Sequence, residues 1–99
     1  MKDLDDRALV RKCTEGSAAA WDAFVDRYAR YVHSVVFKTL RAGRWPAKQE
    51  DAEDILSQVF VSFLENDYQL LRNFEWRCSL KTWIWIVARK MVIRYFRRK

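Results

Sequence analysis

The stretch SLKTWIWIVARKMVIRYFRRK, residues 79–99, holds no glycine or proline and opens on a serine suited to cap a helix. Its apolar residues recur at three- and four-residue steps, the spacing of one helical face rather than of a strand. With Trp83 at zero on a wheel of 100° per residue, Leu80, Trp83, Ile84, Val87, Ala88, Met91 and Tyr95 fall within an arc of about 140°. An apolar arc that wide needs other elements to cover it, so residues 79–97 are read as a helix packed into a core. Lys81, Trp85, Arg89, Val92 and Phe96 fall on the opposite side, between about 160° and 240°. A large indole among cations, pointing away from the core, is the more informative observation.

Upstream, residues 67–78 read as a loop or irregular turn, unusual in holding Tyr68, Phe74 and Trp76 among polar residues. Residues 51–66 read as a helix with Ala52, Ile55, Leu56, Val59, Phe60, Phe63 and Leu64 as its core stripe. Asp51 and Asp54 at its start are spaced like an acidic capping box and suit the positive end of the helix dipole. Residues 44–50, with Pro46, form a polar connector. A long helix over about 17–42 opens at Ser17 and stops at Gly43; Trp21, Phe24, Val25, Tyr28, Val32, Val35, Val36 and Leu40 form its buried face. A short helix over about 3–15, capped by Asp3 and stopped by Gly16, shows only a narrow stripe of Leu4, Ala8, Leu9 and Cys13, which places it at an edge. The expectation is an all-α fold: one domain over residues 1–99, a compact bundle of about four helices.

Composition agrees. Two glycines and one proline in 99 residues leave few of the turn residues that a many-stranded sheet needs. An apolar content of 51% argues against disorder. No apolar run approaches the roughly 18 residues of a membrane span. The acidic start, residues 1–6, lacks the layout of a secretory signal. Cys13 and Cys78 have neither metal-ligand spacing nor a nearby histidine, so two reduced thiols and a cytoplasmic location are expected.

No catalytic constellation is legible, and neither a cofactor nor a metal is expected. His33, the single histidine, sits on the long helix and reads as a core-edge or surface residue. Asp51, Glu53 and Asp54 do not converge on one ion from a single helix, and acids at helix starts have an ordinary dipole explanation.

Charge is unevenly placed. Residues 1–71 carry ten Lys/Arg and twelve Asp/Glu, whereas residues 72–99 carry nine Lys/Arg and one acid, Glu75, for a net of +8. A segment both basic and aromatic calls for a polyanion, nucleic acid above all. The alternative is a solvated helix end with a basic tail. Exposed aromatics between cations suit single-stranded or distorted nucleic acid, since cations neutralise phosphate and rings stack on bases. Equally, Trp85 and Phe96 are suited to pack against the first helix or a neighbouring domain.

The segments DAEDILSQVFVSFLEN (51–66) and SLKTWIWIVARKMVIRYFRRK (79–99), in that order and separated by a loop, resemble the second conserved region of bacterial sigma factors, most closely the extracytoplasmic-function group. AFVDRYARYVHSVVFKTL (23–40) is similar to that family's earlier helix. The resemblance covers nearly the whole chain. It implies a transcription initiation domain that docks on the clamp helices of the largest subunit of core RNA polymerase. It also implies opening of the promoter −10 element and retention of flipped bases of the single-stranded non-template strand.

Carried over by position, the resemblance assigns polymerase binding to Asp51, Glu53, Asp54 and Gln58, although Ser57 and Gln58 stand where the family pattern continues with glutamine and an acid. The family's base-pocketing loop corresponds to residues 73–78, with Phe74, Trp76 and Arg77 as partners for a base and Ser79 and Thr82 beside them. Trp83 reads as mainly structural. DNA contacts are assigned further to Lys81, Trp85, Arg89, Lys90, Arg94 and Arg97. Ile86, Lys90 and Arg94 depart from the family's commonest residues, so no promoter sequence can be borrowed. The family's C-terminal helix-turn-helix is not seen after Lys99, as expected of a fragment of a longer factor or of a diverged stand-alone domain; Arg97, Arg98 and Lys99 end where a linker would begin, which favours the fragment.

Two other classes compete. A protein-interaction module, such as one held by an anti-sigma factor, has no need of an aromatic loop. An amphipathic helix on a membrane surface would use the charge of the last helix, but the apolar face of that helix is needed for the core.

Overall fold

A computed structural model describes residues 3–97, and every regular element among them is a helix: α1 (Asp6–Thr14), α2 (Ala18–Gly43), α3 (Gln49–Asn73) and α4 (Leu80–Arg97). Arg98 and Lys99, part of the basic end in the sequence reading, lie outside the described residues, as do Met1 and Lys2. None of the described helices is long and apolar enough to cross a membrane.

Local chemistry sets most of the helix ends. The Asp5 carboxylate accepts the Ala8 N–H at 2.8 Å, so Asp5, not the expected Asp3, caps α1. The choice leaves Asp6 in the first turn, facing α2. There it accepts the Tyr28 hydroxyl at 2.7 Å and Arg27 at 3.2 Å. Gly16, with φ +92, turns the chain into α2, where Ser17 Oγ accepts the Ala20 N–H at 3.1 Å. At its far end α2 needs Gly43, because a Cβ there would lie 2.3 Å from the Trp45 ring. Trp45 folds back over this glycine and stacks on Phe96 of α4, with centroids 5.6 Å apart and planes at 8°.

The third helix is broken. Asn66, Asp67 and Tyr68 take left-handed conformations with φ between 54° and 60°, and helix resumes beyond them to Asn73. The expected helix ends at about 66 and is followed by a loop over 67–78, so residues 69–73 are helical where a loop was expected. Asn and Asp tolerate such φ values, while Tyr68 is held there by its ring against Trp21, with centroids 6.0 Å apart. Arg72 clamps the break, since Nε donates to the Asp67 carbonyl at 2.7 Å and its guanidinium also donates to the Thr14 carbonyl of α1.

Phe24 occupies the centre of the core, with the rings of Trp21, Tyr28, Phe60 and Phe63 at centroid distances of 5.6 to 6.3 Å. Burying such a ring stabilises the fold by roughly 1.5–3 kcal/mol, and pairing in edge geometry adds to it. Cys13 is fully buried, and burial pushes its thiol up to about 11.

Two sequence assignments are corrected by this packing. Val92, expected on the outer side of α4, is completely buried. The helix lies in the angle between α2 and α3, so its buried line runs Leu80–Ile84–Ala88–Val92 and Trp83 is only half-buried. That line is rotated by about 50° from the expected one on the wheel. Leu64, expected in the core, is 39% exposed, at the last residue before the backbone of α3 leaves helical geometry.

Candidate nucleic-acid and polymerase interfaces

Residues 74–79 join α3 to α4, and their two aromatic rings form a series with Trp83 of α4. Phe74 stacks on Trp83 with centroids 4.6 Å apart and planes at 17°, and Trp76 lies on Phe74 at 4.6 Å. All three are half-buried. Trp76 adopts φ +59, an unfavourable conformation for an aromatic residue, and the guanidinium of Arg7 lies 5.0 Å from its ring centroid. The two loop rings are thus neither free in solvent nor fully in the core; their outer edges are open at the surface. Arg77 is exposed and pairs with Glu75 at 2.9 Å, an arrangement of small energetic weight. Ser79 is occupied: its Oγ accepts the Thr82 N–H at 3.0 Å as the cap of α4 and donates to Thr82 Oγ1 at 2.9 Å. Of the two hydroxyls beside the loop, that of Ser79 is committed to the helix.

The outer side of α4 carries Trp85, 41% exposed, with the Arg89 guanidinium 4.6 Å from its ring centroid. Lys81 projects instead onto Tyr31 of α2, at 4.8 Å. Tyr31, Trp85 and Arg89 border a groove of about 560 Å³ between α2 and α4, which Lys38 and Trp45 also line. Sequence reading missed Tyr31, Lys38 and Trp45, whose only signal was an aromatic or a cation beside the core stripe of α2. Phe96, half-buried against Trp45, belongs to packing. Lys90, Arg94 and Arg97 are exposed and stand outside this groove. Arg94 lines a separate one of about 620 Å³ between α3 and α4, with Gln58, Gln69 and Met91. The proposed DNA residues therefore fall into more than one group.

At the start of α3 the four assigned residues also separate. Asp51 is buried, with Oδ2 accepting the Lys48 N–H at 3.0 Å and Oδ1 accepting the Tyr95 hydroxyl at 2.7 Å. It is turned inward by its role at the helix start and cannot face a partner as the sequence reading expected. Glu53, Asp54 and Gln58 are exposed, and Glu53 accepts Gln49 Nε2 at 3.2 Å. Their face runs on into Val61 and Leu64, 48% and 39% exposed, which sequence periodicity did not place there. No three metal-binding side chains converge among the described residues.

Comparison with known families matches residues 24–99 to the family described as Sigma-70 region 2. No curated protein matches the chain. The match takes in all but the first six residues of α2, the whole of α3, the aromatic loop and α4, and it begins after α1. The chain thus belongs to the sigma-70 region 2 family, domains of transcription initiation factors that bind core RNA polymerase and recognise the promoter −10 element.

Proposed function

We propose that this domain melts the −10 element by holding non-template bases on its aromatic loop while the outer face of α3 engages the clamp helices of the polymerase largest subunit. The observation that carries the reading is the stacked series Trp83–Phe74–Trp76, half-buried beside a basic helix face. Extracting a base costs a few kcal/mol, and a stacked base returns about 1–3 kcal/mol. Rings already ordered against one another lose little freedom on meeting a base, which favours capture. Arg77 and Thr82 stand beside the rings, while Lys81, Trp85, Arg89, Lys90, Arg94 and Arg97 supply cations and one further ring for the adjoining strand. Glu53, Asp54 and Gln58, continued by Val61 and Leu64, offer the acidic and apolar surface that a protein contact uses. The domain acts in the cytoplasm, where the polymerase is.

The deciding experiment substitutes Trp76→Ala and Phe74→Ala and measures both affinity for short single-stranded −10-like DNA at fixed salt and melting temperature. A base-holding ring loses roughly 1–3 kcal/mol of affinity on removal. If both variants bind as well as the parent, the loop does not hold bases.

A second reading, control by an anti-sigma protein covering the same helices, has support in Val61, Leu64 and Leu70, each at least 39% exposed along α3. Exposed apolar side chains in one neighbourhood mark a protein contact more often than a nucleic-acid one.

A further inference from the structure

Helix α1 precedes the segment that matches the family, yet it forms one wall of the aromatic loop. Arg7 covers a face of Trp76. Arg72, at the end of α3, reaches across to the last turn of α1 through the Thr14 carbonyl. Between these contacts lies a cleft of about 340 Å³, lined by Arg7, Arg11, Arg72 and Trp76. That volume is at the small end of ligand sites, enough for one nucleotide-sized group.

The charge in this cleft is poorly compensated. Arg7 and Arg11 lie one turn apart on the same side of α1, a spacing at which like charges repel. The acids of α1 are used elsewhere: Asp5 caps the helix, and Asp6 is held by Arg27 and Tyr28. Among the described residues, Arg72 alone of the three arginines has an acidic partner, Asp67 at 3.5 Å. Three guanidinium groups around one indole suit an anion that carries an aromatic ring.

We propose that this cleft binds one nucleotide of single-stranded promoter DNA, with its phosphate between Arg7 and Arg11 and its base on the face of Trp76 that Arg7 now covers. The proposal rests on the reading of the loop as a base-holding surface and extends that surface onto α1. DNA is favoured over a free nucleotide because the cleft is continuous with the loop through Trp76 itself. Arg7 acts as a placeholder. An exposed cation–π contact is weaker than a stacked base, so the base displaces the guanidinium, which then moves to the phosphate.

The test is the salt dependence of binding of a single-stranded −10-like oligonucleotide to the full chain. Parent, Arg11→Gln, the Arg7→Gln/Arg11→Gln double variant and Lys12→Gln are compared, each checked by thermal melting. One lost phosphate contact makes the log–log slope shallower by about 0.7. That change is expected in the double variant and, at least in part, in Arg11→Gln, whose side chain makes no ion pair among the described residues. Lys12 lies on the same helix outside the cleft, so Lys12→Gln should keep the parental slope. A parental slope in the double variant, or an equal change in Lys12→Gln, overturns the cleft. Binding that is lost in Trp76→Ala but untouched by the α1 substitutions overturns the cleft alone. A parent chain that does not bind the oligonucleotide overturns the base-holding reading and the cleft with it. Competition by a free mononucleotide as effective as by the oligonucleotide would assign the cleft to a small ligand instead of DNA.

Discussion

Tyr95, near the end of α4, donates its hydroxyl to Asp51 Oδ1 at 2.7 Å, while Asp51 Oδ2 accepts the Lys48 N–H at 3.0 Å. One carboxylate thus closes the first turn of α3 and ties it to the last helix of the bundle. Removing it forfeits both a capping interaction and the hydrogen bond from the Tyr95 hydroxyl. Asp51→Ala should therefore cost about 2–4 kcal/mol in urea denaturation. Tyr95→Phe, which keeps the cap, should cost less, about 1–2 kcal/mol. Equal losses for the two would mean that the cap contributes nothing.

Asp54 is exposed one turn further along and has no such internal duty. Asp54→Lys should weaken binding to core polymerase, most strongly at low salt, and leave the melting temperature near that of the parent. An unchanged affinity at low ionic strength would remove Asp54 from the polymerase contact.

Arg89 lies over the exposed ring of Trp85. If it also meets a phosphate, Arg89→Gln lowers the log–log salt slope by about 0.9 on duplex promoter DNA and about 0.7 on single strands. The loss should be similar for unrelated sequences, because a phosphate contact reads no bases. A slope equal to the parent's would limit Arg89 to its contact with Trp85.

Burial raises the Cys13 thiol from 9.0 to about 11. The unfolded chain therefore loses this proton first as pH rises, and the native state binds more protons across that interval. Stability should fall between pH 9 and 11, by up to roughly 1.4 kcal/mol per pH unit from this group. Tyr28, raised by burial and then by its bond to Asp6, acts in the same direction. Cys13→Ala isolates the cysteine contribution, and the variant should show a flatter decline in denaturation midpoint. At neutral pH a thiol reagent should label exposed Cys78 and leave Cys13 untouched in the native protein.

Much of the fold was legible because helical periodicity and capping are local. The serines at 17 and 79 cap helices as their spacing indicates, and Phe24, Val32, Ile55 and Phe63 are buried where the three- and four-residue steps put them. The candidate site was legible only as a set of residue types: aromatics at 74 and 76, cations along the last helix, acids at the start of α3. Their partners were not. Asp51 turns inward to Tyr95, 44 residues away, and Arg7 covers Trp76 across a still longer separation.

By itself, then, the sequence determined that four helices form, roughly where each starts, and that each has an apolar side. Tertiary structure alone decided how far each helix is rotated about its own axis. Periodicity defines the width of an apolar face, whereas its buried centre is set by where the neighbours lie; hence Val92 is inside and Leu64 outside. It also decided the break at residues 66–68, where left-handed backbone is held by a ring on Trp21 and by an arginine bound to the end of α1. Such contacts join residues far apart in the chain, and no local spacing encodes them.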